Sequence, residues 1–202
     1  MTGQQRHPAG LRPYAHLSPE SGMCLMEYVS TLAGAPFSDN PAGVHPLLAS
    51  LARAVNDATS DRARSGLLDL APALLAASST APGADAGIEL HCLDAICGTS
   101  TAGRHTKWWA RRRRRAVMRR PAPNPAEAGT VSRWVRLHGP GRRSTEAAVR
   151  ALSGLSTAEA DRALYRLLAD CAEAAGAESP PAGGLRRPAD STAALATDGT
   201  TP

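Results

Sequence analysis

Large rings are scarce in this chain: one phenylalanine (Phe37), three tyrosines and three tryptophans in 202 residues. A thick sheet sandwich draws on β-branched and aromatic side chains to fill its core, whereas the alanines, leucines and valines here suit small helical layers. No run approaches the roughly 20 apolar residues of a membrane span, and Met1 to Leu11 lacks the apolar stretch of a secretion signal, so a cytoplasmic location is expected. Four scattered cysteines, Cys24, Cys92, Cys97 and Cys171, are too few for the disulfide framework of a secreted fold and read as reduced, buried small hydrophobes. The phosphate-loop, dinucleotide and zincin fingerprints are all missing, which leaves no motif for an enzyme and no cofactor to expect. Lysine is nearly absent too: Lys107 is the only one among 23 basic residues. Arginine, alanine, proline and glycine share GC-rich codons, so arginine content alone carries little; its clustering carries more.

That clustering is uneven. Up to Gly103 there are five arginines against nine acids, and from Arg104 onward eighteen basic residues against nine acids. A basic half raises the local concentration of polyanions around it.

Apolar periodicity predicts an all-α protein, a small helical bundle with a disordered N-terminal leader and C-terminal tail. The leader, residues 1–17, is rich in proline, glycine and arginine and has no period. A helical region then covers residues 18–77. Ser18 and Pro19 suit a helix start ahead of Leu25, Tyr28, Val29 and Leu32; a loop with Pro36, Pro41 and Gly43 follows; Pro46 opens a second helix with Leu47, Leu48, Leu51 and Val55 on one stripe. Ser60 and Asp61 mark a third, which Pro72 should kink or divide. Residues 78–87 read as a small-residue linker, and residues 88–120 as helices, first around Ile88, Cys92, Leu93 and Ile96, then through the basic run. Residues 121–130 form a proline-rich connection. Within residues 131–176 a short piece from Val131 to His138 precedes two helices, one capped by Ser144, the other by Ser156 with Glu159 at capping-box spacing. Residues 177–202 have too little bulky apolar surface to offset the entropy of ordering them.

Met23 to Ser30, Phe37 to Pro41, His45 to Leu48 and Ala54 to Asp57 together resemble a family of uncharacterised actinobacterial helical proteins, the likeness running mainly from Gly22 to Leu75. The resemblance implies a helical cytoplasmic protein from a GC-rich genome and brings no activity or catalytic residue with it.

The strongest candidate site is the segment from Arg104 to Arg120. Its nine cations are Arg104, Lys107, Arg111, Arg112, Arg113, Arg114, Arg115, Arg119 and Arg120, with no acid among them, and Trp108 and Trp109 supply flat faces for stacking. Five consecutive arginines turn through a full circle of helix, which argues against one clean phosphate-facing stripe and favours contact with the acidic first half of the chain. Other candidates are weaker. Around Gly154 the chain reads as a plain αα-hairpin, since Glu159, Asp161 and Asp170 would repel phosphate. His91, Cys92 and Cys97 lack zinc-site spacing, and a completed site would need Cys24, His45 or Asp39 from afar. Cys24 or Ser38 as nucleophile would need His45 or Glu27 within reach. The loop Phe37 to Pro41 reads as turn residues bonded to their own backbone. The sequence therefore favours a non-catalytic protein-interaction or accessory module with a protein partner; the alternative is a nucleic-acid-binding accessory protein that meets DNA or RNA through residues 104–120. Nothing in it fixes the oligomeric state.

Overall fold

Helix α1, Leu25–Leu32, starts later than Ser18 because of two residues before it. Ser18 opens only a single 3-10 turn, Pro19–Ser21, and Gly22 then takes a φ of +122°, where a helix cannot continue. Cys24 instead caps α1: the Glu27 carboxylate accepts the Cys24 backbone N–H at 2.7 Å while the Cys24 side chain faces the N–H of Glu27, a capping box with a thiol in place of a hydroxyl. A side chain on Gly22 would also collide with Arg12 and His16, so the glycine admits the segment that precedes it.

In this computed structural model the described residues are 10–77, 83–119 and 139–176. Helix α2 is Pro46–Ala58, α3 is Asp61–Arg64, a 3-10 turn follows over Ser65–Leu70, and α4 is Ala71–Ala76. The expected third helix is thus divided, with Pro72 in the first turn of its second part. Helices α5, Ala84–Gly98, and α6, Arg104–Met118, are joined by a short loop, and α7, Pro140–Leu152, and α8, Thr157–Gly176, form the αα-hairpin. No extended strand occurs among the described residues, and none of their helices is long and apolar enough to cross a membrane.

The centre of the bundle is α5, which packs against α6, α7 and α8, while α2 packs against α1, α7 and α8. Their shared core holds the stripe of α2 (Leu47, Leu48, Leu51, Val55), Ile88, Leu93 and Ile96 of α5, and Leu164 and Leu168 of α8, all essentially without solvent contact. Cys92 and Cys171 meet there between α5 and α8, and each thiol is fully buried.

Several expectations are corrected. The loose leader does not extend through residues 10–17. Leu11 joins the core; Arg12 N–H bonds the Met23 carbonyl at 2.9 Å; Asn56 donates to the Arg12 carbonyl at 2.8 Å; Tyr14 N–H reaches Asp57 at 2.7 Å. These are long-range polar ties that composition does not reveal. The linker ends earlier than residue 87, since Gly83 in a left-handed conformation caps α5 and Ala84 is already helical and buried. Ser144 is not a cap but lies a full turn inside α7, which starts at Pro140. Ser60 gives its hydroxyl to Asp161 at 2.7 Å, and the same carboxylate accepts Ser60 N–H at 2.9 Å, so α3 is anchored by a side chain of α8. The expectations for residues 1–9, the 78–82 part of the linker, Arg120, the 121–130 connection, Val131 to His138 and the 177–202 tail lie outside the described residues.

Candidate nucleic-acid interface

The basic segment is helical, as its residue types predict, and it rests on α5 by a narrow contact: Ala110 and Val117 are its only fully buried residues, with Trp109 half-buried against the core. What orients it is electrostatic. Arg113 places Nε at 2.7 Å from Glu89 Oε1 and Nη2 at 3.0 Å from Oε2, a two-pronged pair with a carboxylate that is 2% exposed. The Ser144 hydroxyl, shared between Glu89 Oε1 at 2.9 Å and the Pro140 carbonyl at 3.1 Å, brings α7 into the same cluster. One turn away in space, Arg114 Nε bonds Asp94 Oδ1 at 2.6 Å at the surface. The α5–α6 loop is held from the other side, because Thr101 donates to the Ala151 carbonyl and Gly154 approaches Thr101 so closely that a Cβ would lie 3.1 Å from its side chain.

This arrangement sorts the arginine run. As expected, the five consecutive arginines wrap around the helix, and the two that leave the outer side are engaged by acids of α5: Arg113 by the buried Glu89 and Arg114 by Asp94 at the surface. At about 100° per residue, Arg104, Trp108, Arg111, Arg112, Arg115 and Arg119 then fall within an outward arc of roughly 100°. All six are exposed, and Lys107, half-buried, borders them. None of these seven residues makes an ion pair among the described residues. Trp108, 62% exposed, stands in the middle of the arc, and the Arg112 guanidinium lies over its ring at 5.9 Å from the centroid. Met118, also exposed, flanks the far end. Of the predicted site residues, the structure thus brings Arg104, Lys107, Trp108, Arg111, Arg112, Arg115 and Arg119 together, and assigns Arg113, Arg114 and Trp109 to holding the helix.

Glu89 is the residue sequence reasoning missed. It lies on the same face of α5 as Leu93 and Ile96, and a carboxylate inside an apolar stripe is the signal that a cation must come to it.

The weaker candidates separate. Cys24 is a cap whose thiol is pushed up to about 11, first by burial and then by the neighbouring Glu27 charge, so it stays protonated and a poor nucleophile near neutrality. His45 lies 3.3 Å from Asp85, and Asp39 is engaged by Arg53, whose guanidinium also bonds the Asp39 carbonyl at 2.7 Å. Among the described residues no cluster of three His, Cys, Asp or Glu could hold a metal ion. A groove of about 250 Å³ between the α2–α3 corner and α8 is lined by Thr59, Leu67, Asp161, Arg162, Tyr165 and Arg166, its carboxylate occupied by Ser60.

No protein-family model matches the chain, and no curated protein or solved structure is significantly similar to it.

Proposed function

We propose that this protein is a non-catalytic accessory module that binds the phosphate backbone of nucleic acid through the outer face of α6. The observation that carries this reading is the sorting of the arginine run, in which two arginines are spent on the fold and five exposed arginines are left on one side with no acid among them. Such a face repels itself: Lys107 and Arg111, and Arg111 and Arg115, are like charges four residues apart, each pair costing a few tenths of a kcal/mol. Phosphates along a strand relieve that repulsion and release their condensed counterions. A protein partner, the reading the sequence alone favours, would need an acidic surface of similar length, and Met118 and Trp108 would then serve as apolar anchors.

The test is a fluorescence-anisotropy titration of labelled DNA at low and physiological salt, with the intact protein and two variants. Replacing Arg111, Arg112 and Arg115 together by alanine should weaken binding strongly and flatten the log–log salt dependence by about 2 to 3 units. Glu146→Gln, on the exposed side of α7, should leave it unchanged. Failure of the folded protein to bind any labelled strand at low salt would sink the nucleic-acid reading and turn attention to an acidic protein partner.

A further inference from the structure

We infer that the α6 face prefers single-stranded over duplex nucleic acid, with Trp108 as the platform on which a base stacks; this rests on the nucleic-acid reading above. Arginines alone would not distinguish the two, because both forms present a phosphate backbone. The indole does. In a duplex every base face but the last is covered by its neighbours, so a flat ring projecting from the middle of the contact meets only base-pair edges and phosphates. In a single strand the base faces are free, and any base can stack on an indole, which makes the contact tolerant of sequence.

Three observations place the ring for this. Trp108 is exposed where its neighbour Trp109 is packed on the core, so the two tryptophans have separate tasks. Arg112 lies over the Trp108 ring, which steadies the indole and sets a cation beside any base stacked on it. Arg104 and Arg119 stand on either side of Trp108 along a helix face roughly 22 Å long, so phosphates on both sides of a stacked base find arginines.

The experiment uses the full chain and a fluorescein-labelled DNA strand of about 12 nucleotides, alone and annealed to its complement, at physiological ionic strength. The expected result is at least tenfold tighter binding of the single strand. Trp108→Ala should reduce that affinity by roughly ten- to a hundredfold with the salt slope unchanged, Trp108→Phe should retain most of it, and duplex binding should change little in either. Helical circular dichroism of both variants should match the parent, since the ring is at the surface. Equal affinity for the two forms, or a Trp108→Ala variant that binds the single strand like the parent, overturns this inference while leaving backbone binding in place. Absence of binding to both forms overturns the backbone reading and this one with it.

Discussion

Arg111, Arg112, Arg113, Arg114 and Arg115 are identical in chemistry and differ only in what lies beneath them. Arg113 meets a carboxylate that has almost no water around it. Removing one partner of such a pair strands the other, so Arg113→Ala should lower the unfolding free energy by about 3 kcal/mol, whereas Arg111→Ala should stay within about 0.5 kcal/mol. Urea denaturation of the two variants checks the contrast. Arg114 and Asp94, both well exposed, should contribute less than about 1 kcal/mol to the same measurement. A second buried carboxylate gives a pH dependence. Burial pushes the Glu27 carboxyl up, but the backbone N–H groups of His16 and Cys24 and then their side chains outweigh it, and the carboxyl is held below its ordinary value. The unfolded chain therefore takes up this proton more readily than the folded one. The stabilisation is fully present above the unfolded value of about 4.3 and is lost as the pH falls through the lower folded value. Denaturation midpoints measured from pH 7 down to pH 3 should drop below about pH 4, and Glu27→Gln should remove part of that drop while already being less stable at pH 7. Neither carboxylate advertised its role in the sequence: Glu27 stood out only as a possible base for Cys24 or Ser38, and Glu89 was not singled out at all.

At the scale of the element, the sequence was a sound guide to which segments are helices and an uneven one to where they begin: the starts of α2, α3, α6 and α8 are where its signals put them, and those of α1, α5 and α7 are not. The stripes of α2, α5 and α8 are those the spacing predicts, because an apolar face can be satisfied only by burial. The missed starts turn on local details: a glycine at positive φ cuts the helix opened by Ser18 to a single turn, and a proline upstream of Ser144 starts α7 a turn earlier, while Ser60 does stand at the start of α3 but gives its hydroxyl to Asp161 rather than to the helix. The stripe on α6 was hidden for a related reason, since no spacing rule could tell which arginines an acid on α5 would claim. That helix now offers a way to separate folding from function. Arg111→Glu replaces two like-charge pairs, with Lys107 and Arg115, by two attractive ones in the favourable sense for the second, so the folded state should gain about 1 kcal/mol. The same change puts a negative charge at the middle of the proposed strand path. A variant with a higher melting temperature and lost DNA binding is the expected outcome; a variant that is more stable and still binds would show that the strand does not cross this face.

At the scale of the molecule the organising feature is α5, and nothing in its own residues announces a central helix. Its neighbours are brought by three kinds of contact: Glu89 draws in α6 through Arg113 and α7 through Ser144, and Cys92 meets Cys171 of α8. Because those contacts share one helix, loosening any of them should loosen the rest, and the bundle should open as a unit. The cysteines report on this without any added probe. Cys92 is held well above the usual thiol range, chiefly by its contact with Cys171 and then by burial, and Cys24 is raised by burial as well. Cys97 alone is part-exposed. A thiol reagent added to the native protein should therefore label Cys97 quickly. Cys24, Cys92 and Cys171 should follow together at a rate set by opening of the whole bundle, slowed or hastened by the same factor when Arg113 or Glu89 is changed. Labelling of Cys24 well ahead of Cys92 and Cys171 would instead mean that α1, with its Glu27 cap and the strap of residues 10–17, opens on its own while the α5-centred core stays closed.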